Sequence, residues 1–100
     1  EENIRIAGAH TIVENMRHGM PPKEACLDAL KRIARNFDND RARLERFDIN
    51  FYALRKDGVY CGASLWDYGW SRGKKGRRRQ FAVHDGTKGR LEDCVALLNR

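Results

Sequence analysis

The sequence predicts an α+β fold in which a pair of helices covers one face of an antiparallel β-sheet. Apolar residues recur at helical spacing up to residue 37, and after residue 48 their period changes to two. A run of helices followed by a run of strands is typical of layered α+β proteins. The single domain 1–100 therefore divides into a helix pair at 3–37, a connection at 38–48, strands at 49–85 that include a basic loop at 67–79, and a C-terminal segment at 86–100.

The first helix is predicted over 3–18, and a glycine and two prolines separate it from the second. Its apolar stripe consists of Ile6, Ala9, Val13 and Met16. Gly19 suits the end of this helix because glycine adopts a positive φ without a Cβ clash. Pro22 suits the first turn of the next helix, where its missing N–H costs no hydrogen bond.

The second helix is predicted over 23–37, on an amphipathic pattern. Its stripe is Cys26, Leu30, Ile33 and Phe37, at spacings i, i+4, i+7 and i+11. This stripe places Ile33 and Phe37 in the core. Because the link Gly-Met-Pro-Pro is short, we expect the two helices to pack side by side.

The segment "INFYALRKDGVYCGASLW" predicts two strands, 49–55 and 59–66, around a turn at Asp57-Gly58. The charged residues before it predict a surface connection. A two-residue turn would pair Leu54 with Cys61, Tyr52 with Ala63 and Phe51 with Ser64. Few residues of the first strand are polar, which indicates that both of its faces are covered and that the strand pair belongs to a larger sheet.

The remaining segments are predicted as a loop, a strand and a short helix. Glycines and charges in 67–79 favour a loop, "QFAVHD" predicts a third strand of the same sheet at 80–84, and "GTKG" predicts a turn. In "RLEDCVALLNR" the apolar residues follow the helical spacing i, i+3, i+4 and i+7. They are Leu91, Cys94, Val95 and Leu98.

The net charge of +6 comes from one segment. Its six cations are Arg72, Lys74, Lys75, Arg77, Arg78 and Arg79, without which the 20 Lys and Arg residues fall to 14, equal to the 14 Asp and Glu residues. The cations could bind phosphates, and Trp66, Tyr68 and Trp70 could stack on bases. A small nucleic-acid-binding or interaction module that uses 71–79 is therefore an alternative. We favour a solvated loop that the fold does not need, because the charge is confined to one segment.

Residues that ligate metals do not recur at metal-binding spacings. Cys26, Cys61 and Cys94 form no CxxC pair, and the histidines at 10, 18 and 84 are scattered. No metal or cofactor is therefore expected. Cys61 and Cys94 could form a disulfide, or all three cysteines could be core thiols. No apolar run approaches the length of about 18 residues that a membrane-spanning helix needs.

The candidate acid–base pairs each have a structural explanation. Glu1 and Glu2 suit the first turn of a helix, where carboxylates offset its dipole. His84 and Asp85 are adjacent on a predicted strand, so their side chains point to opposite faces. The internal hydroxyl groups have no base nearby in the sequence; they belong to Thr11, Ser64, Ser71 and Thr87. No catalytic residue is assigned.

Three segments in order carry a family resemblance: "EENIRIAGAHTIVENMRHGMPPKEACLDALKRI", then "KDGVY", then "FAVHDG". Together they resemble the C-terminal part of the β-subunit of glycosylasparaginases. These enzymes are N-terminal nucleophile (Ntn) hydrolases related to isoaspartyl peptidases and plant-type asparaginases. The resemblance is sharpest over 1–33. It implies an αββα sandwich, with our helix pair in an outer layer and our strands in an inner sheet.

The resemblance also implies a mechanism. In this family a precursor cuts itself before a threonine, whose hydroxyl attacks the side-chain amide of an Asn derivative while its own α-amino group acts as base. The chain starts at Glu1, so the nucleophile and the glycine-rich substrate loop are expected upstream. No catalytic, cofactor or metal residue transfers to this chain, which is expected to be inactive alone.

The partners that the resemblance implies are an α-subunit and the N-terminal part of the β-subunit, in an (αβ)2 assembly. The substrate would be a small molecule: glycosylated Asn, Asn or an isoaspartyl peptide. The resemblance implies neither a membrane nor a nucleic acid as a partner.

Overall fold

The computed structural model describes all 100 residues, Glu1–Arg100. Four helices precede seven strands, which confirms the predicted α+β class but not the short helix predicted at the C-terminus. The helices are α1 (Glu2–Arg5), α2 (Gly8–Arg17), α3 (Pro22–Asn36) and α4 (Arg41–Leu44); the strands are β1 (Asn50–Leu54), β2 (Tyr60–Trp66), β3 (Tyr68–Ser71), β4 (Lys74–Arg78), β5 (Gln80–His84), β6 (Gly89–Asp93) and β7 (Val95–Leu98). No helix is both long and apolar enough to cross a membrane.

The predicted first helix is broken in two. Ala7 has a left-handed backbone, with φ 48°, and separates α1 from α2. The Thr11 hydroxyl donates a hydrogen bond of 2.7 Å to the Ile6 carbonyl, so the break leaves this carbonyl partnered. The prediction of one continuous helix over 3–18 is therefore wrong.

The break also changes which face of α2 is buried. Its buried residues are Gly8, Thr11 and Ile12, whereas Ala9 is exposed and Val13 is 50% exposed. Gly8 packs on Phe51, because a Cβ at this position would lie 2.8 Å from the Phe51 ring. The predicted stripe is therefore wrong at Ala9 and Val13, and only half-buried at Ile6 and Met16.

The link between α2 and α3 forms as predicted. Gly19 has φ 100°, and its N–H donates to the Met16 carbonyl while the Met20 N–H donates to the Asn15 carbonyl. These two bonds are those of a Schellman motif, which ends a helix at a left-handed glycine. Pro22 is the first residue of α3.

Helix α3 is the centre of the hydrophobic core and packs against α2 on one side and β1, β2 and β7 on the other. Its buried apolar side chains include Ala25, Cys26, Ala29, Leu30, Ile33 and Ala34. This confirms the predicted stripe except at its last member. Phe37 is only half-buried, with its ring 5.1 Å from the Phe47 ring, because it caps the end of the helix.

The predicted surface connection contains the short helix α4. Asp40 caps this helix, since its carboxylate accepts hydrogen bonds from two backbone N–H groups of the first turn, at 3.0 and 3.4 Å. Leu44 at its end is 1% exposed and belongs to the core. The connection is therefore an ordered part of the fold.

Strands β1 and β2 form the predicted antiparallel pair, but the predicted register is wrong by one residue. Leu54 pairs with Tyr60, Tyr52 with Gly62 and Phe51 with Ala63. The loop has three residues instead of two: the Arg55 N–H donates to the Val59 carbonyl at 2.8 Å, and Gly58 has φ 94°. The side chains that face α3 are consequently Cys61 and Ala63, whose partners Ala53 and Phe51 are buried.

The third strand of this sheet is β7, in a segment predicted to be helical. It runs parallel to β2, with Ala63 opposite Val95 and Trp66 opposite Leu98. The sheet is therefore mixed, in the order β1-β2-β7. The pattern of a short apolar segment such as Val95–Leu98 fits either a helix or a strand. Here the pairing with β2 determines that it forms a strand.

Strand β5 forms as predicted but does not join this sheet. It pairs antiparallel with β6, and the hairpin packs on the face of β1 and β2 opposite to α3. The Phe81 ring lies 6.1 Å from the rings of both Tyr52 and Tyr60. A Cβ on Gly62 would come within 2.3 Å of the Phe81 ring, so only glycine fits beneath it.

The basic segment is a β-hairpin, which corrects the predicted loop at 67–79. Strands β3 and β4 are joined by Arg72 and Gly73, which have φ 52° and 73°. Positive φ at both positions is characteristic of a type I′ turn, which suits the twist of a two-residue hairpin. All five residues of β4 are exposed.

Candidate functional site

A cavity of about 810 Å³ lies between the outer face of β1–β2 and the β5–β6 hairpin. Its apolar lining includes Tyr52, Leu54, Tyr60, Phe81 and Val83. Large concave pockets with a few polar groups are the usual location of binding sites. This cavity is therefore the candidate site of the chain.

The polar rim of the cavity includes Tyr60 and Arg90, and both contact Glu92 beside it. The Tyr60 hydroxyl donates to the Glu92 carboxylate, and Arg90 Nη2 donates to the Tyr60 hydroxyl at 3.0 Å and lies 2.8 Å from Glu92 Oε2. The hydrogen bond from Tyr60, and then that from Arg90, lowers the pKa of Glu92. Glu92 is thus held as a paired carboxylate and is a poor general acid.

His84 and Asp85, at the end of the same hairpin, serve its turn. His84 Nδ1 accepts from the Gly86 N–H at 3.0 Å. Asp85 Oδ1 accepts from the N–H groups of Thr87 and Lys88 at 2.9 and 2.8 Å, and these bonds lower the pKa of Asp85. The two side chains do not hydrogen-bond each other, in agreement with the sequence argument against a dyad.

The hydroxyl groups singled out in the sequence do not gather at the cavity. Thr11 and Ser64 are buried, and each donates a 2.7 Å bond to a backbone carbonyl. Ser71 is the last residue of β3 and Thr87 lies in the turn after β5, and both are exposed. None of them hydrogen-bonds to a side chain that could act as its base.

Glu1 and Glu2 take the structural role that the sequence favoured. Each forms an ion pair of 3.4 Å with Arg5, and Glu2 lies in the first turn of α1. No three His, Cys, Asp or Glu side chains converge in a way that could hold a metal ion. All three cysteines are free thiols.

Several residues that the sequence suggested for nucleic-acid binding, in and beside the hairpin β3–β4, are engaged in contacts within the chain. Lys75 lies over the Tyr68 ring at 4.1 Å, and Arg78 and Arg79 form ion pairs with Asp93 and Asp48. Trp66, one of the three proposed stacking residues, is fully buried, which removes it as a platform for bases. Trp70 stays 53% exposed.

Sequence reasoning missed the cavity and its rim. Both depend on the pairing of β5 with β6. The sequence analysis predicted a helix in the segment that contains β6 and therefore did not identify this pairing. The alternation of Arg90 and Glu92 about Leu91 was a period-two signal that could have identified the strand. The pairing of Tyr60 with Leu54 could not be predicted, because the sequence suggested a two-residue turn and the turn has three residues.

Comparisons with known proteins give two relatives, while no family model matches the chain. The N(4)-(beta-N-acetylglucosaminyl)-L-asparaginase of Elizabethkingia miricola is 37% identical over 92 residues, which is 92% of this chain and 24% of that protein. The probable isoaspartyl peptidase/L-asparaginase 3 of Arabidopsis thaliana is 38% identical over 68 residues, which is 68% of this chain and 16% of that protein. The chain thus spans about a quarter or less of the length of these relatives.

Proposed function

The chain belongs to the family of glycosylasparaginases and isoaspartyl peptidases/L-asparaginases, and from this premise we propose that it is part of an amidohydrolase that cleaves the side-chain amide of Asn derivatives. The observation that carries the proposal is the 37% identity to a glycosylasparaginase across 92% of this chain. The substrate class comprises glycosylated Asn, Asn and isoaspartyl peptides, which the names of the two relatives include.

The nucleophile of this amidohydrolase would be an N-terminal threonine outside the 100 residues. Its hydroxyl would attack the amide carbonyl, its own α-amino group would act as base, and water would release aspartate from the acyl-enzyme. The geometry of this chain supports that assignment, because both buried hydroxyl groups, on Thr11 and Ser64, are committed to backbone carbonyls. The matched segment is also only 24% of the bacterial relative, which leaves most of that protein to supply other groups.

The role of this chain would be that of a scaffold within an αββα sandwich. Helix α3 covers one face of the β1-β2-β7 sheet. The opposite face exposes large apolar side chains: Tyr52 is 60%, Leu54 72% and Tyr60 38% exposed. A second sheet packed there would bury this surface, as the inner faces of stacked sheets do.

The partners would be an α-subunit and the N-terminal part of the β-subunit, in an (αβ)2 assembly. The sheet offers places for them, because β1 and β7 each pair on one side only. Unpaired edges of this kind are readily extended by strands of another segment. None of the comparisons supports the alternative of a nucleic-acid-binding module.

The test is an aspartate-release assay on three substrates: N-acetylglucosaminyl-Asn, Asn and an isoaspartyl dipeptide. It compares this chain alone with the same chain assembled with the α-subunit and the rest of the β-subunit. We expect release by the assembly and none by the chain alone. Turnover by the isolated chain would overturn the scaffold role, and a folded assembly that is silent on all three substrates would overturn the amidohydrolase function.

A further inference from the structure

A smaller cavity, of about 380 Å³, opens beside the hairpin β3–β4. It shares only Gln80 with the large cavity between the sheets, so it is a separate feature of the surface. Its volume lies within the range of about 300–1,000 Å³ that is typical of small-molecule sites. The function proposed above assigns no role to this smaller cavity.

Three arginines line the smaller cavity and no acidic residue does; they are Arg77, Arg78 and Arg79. Arg78 lies 3.1 Å from the carboxylate of Asp93, and Arg79 lies 2.7 Å from that of Asp48. Arg77 is exposed and takes part in no ion pair or side-chain hydrogen bond of the chain. Its guanidinium is therefore free to bind an anion, in the bidentate geometry that arginine offers to carboxylates, sulfates and phosphates.

An aromatic ring and a free hydroxyl group line the same cavity. Trp70 is 53% exposed, and neither its indole N–H nor the Ser71 hydroxyl forms a hydrogen bond within the chain. Gly69 and Gly76 follow along the two strands of the hairpin, and a Cβ on Gly76 would meet the Gly69 backbone at 3.3 Å. The wall between Trp70 and Arg77 therefore consists of bare backbone, which leaves room for a flat ring.

We propose that the smaller cavity binds a sugar that carries an anionic group. The anionic group, which is a carboxylate, sulfate or phosphate, pairs with the guanidinium of Arg77. The sugar ring lies on the indole of Trp70, whose negative face attracts the partly positive C–H groups of the ring. A sugar hydroxyl exchanges a hydrogen bond with Ser71. The proposal is independent of the amide chemistry proposed above.

The same residues are a poor match to a single-stranded nucleic acid. Proteins that bind single strands stack successive bases on several aromatic side chains. Here Trp66 is fully buried, and Lys75 lies over the Tyr68 ring at 4.1 Å, so both rings are occupied within the chain. One exposed indole beside one free guanidinium suits a single ring with a single anionic group, which favours an acidic monosaccharide.

The test is an NMR titration that follows the indole N–H signals of the two tryptophans, assigned with Trp70→Phe. The acidic sugars are glucose 6-phosphate, glucose 6-sulfate and glucuronate, and the comparison ligands are glucose, inorganic phosphate, adenosine 5′-monophosphate and oligothymidylate. We expect at least one acidic sugar to move the Trp70 signal saturably and to bind about tenfold or more tightly than every comparison ligand. The signal of the buried Trp66 should stay in place. Equal or tighter binding of any comparison ligand, or no saturable binding of the three acidic sugars, would overturn the proposal.

Variants separate a defined site from a diffuse attraction to positive charge. Arg77→Gln and Trp70→Leu should each weaken binding of the acidic sugar, measured by calorimetry, about tenfold or more. Lys74→Gln is the matched control for Arg77→Gln, because Lys74 is an exposed cation of the same strand that does not line the cavity. Its effect should stay within about twofold. Circular dichroism establishes that each variant is folded, and equal weakening by Lys74→Gln and Arg77→Gln would contradict the site.

Discussion

Trp66 shows how one side chain orders a segment that the sequence marks as a surface connection. Its indole is fully buried, and Nε1 donates hydrogen bonds to the carbonyls of Leu44 and Phe47, each at 3.2 Å. The guanidinium of Arg100 lies 4.3 Å from the ring centroid, and that of Arg41 lies 5.0 Å away. The end of β2, the connection and the C-terminus therefore meet at one residue.

We expect Trp66→Phe to lower the free energy of unfolding by about 1–3 kcal/mol, because the change removes two hydrogen bonds and leaves buried carbonyls with fewer partners. The measurement is denaturant unfolding followed by circular dichroism. The matched control is Trp70→Phe, since Trp70 is 53% exposed and has no such bonds; its effect should stay within about 0.5 kcal/mol. Equal losses in the two variants would mean that ring size, and not the hydrogen bonds, determines the effect.

Among the elements, those with local signals were predictable and those fixed by distant partners were not. Helix α3 has an unbroken apolar stripe, a proline at its start and a Schellman link before it, and each of these signals lies within a few residues. Strand β7 has an apolar run that fits either a helix or a strand, and its pairing with β2, about 30 residues away, decides the outcome. The left-handed Ala7 that splits the first helix has no sequence signal that we can identify.

Among the six cations of the basic segment, Arg79 is the only one that is not exposed. Arg79 forms a 2.7 Å ion pair with Asp48, whose side chain is 16% exposed. The Arg79 backbone also donates to the Asp67 carbonyl and accepts from the Cys94 N–H. The expectation that the fold does not need the basic segment therefore applies to its outer cations and not to Arg79.

We expect Arg79→Gln to destabilise the chain by about 1–2 kcal/mol, a value reduced by solvent screening because Arg79 is 37% exposed. Arg77→Gln is the matched control, since Arg77 is exposed and forms no ion pair; its effect should stay within about 0.5 kcal/mol. Thermal melts of both variants and of Asp48→Asn make the comparison. If Arg79→Gln costs as much in the Asp48→Asn background as in the parent chain, the ion pair is not the cause.

At the scale of the whole molecule, the cavity is the feature that sequence reasoning could not supply. The cavity forms between two separate sheets, β1-β2-β7 and β5-β6. Its walls include Tyr52 on β1 and Phe81 on β5. The sequence did indicate that both faces of β1 are apolar. In the structure one face is covered by α3, and the other leaves Leu54 72% exposed. A surface of this kind on a small domain is typical of an interface.

The last prediction tests whether the rest of the proposed amidohydrolase covers this face of the sheet. Leu54→Asp should change the stability of the isolated chain by no more than about 0.5 kcal/mol, because Leu54 is already largely in solvent. In the assembled enzyme the same carboxylate would be buried against a second sheet without a partner, at a cost of several kcal/mol. We therefore expect the assembled variant to lose about tenfold or more of its aspartate release, since about 1.4 kcal/mol corresponds to a factor of ten.

Val13→Asp is the control, because Val13 is 50% exposed on α2, away from the sheet face, and should tolerate a carboxylate in both settings. Full activity of the assembled Leu54→Asp variant would show that the outer face of β1 stays in solvent. A large loss of stability in the isolated chain would instead show that Leu54 already packs within these 100 residues. Loss of activity without loss of chain stability, absent from Val13→Asp, is the combination expected when another part of the enzyme buries this face.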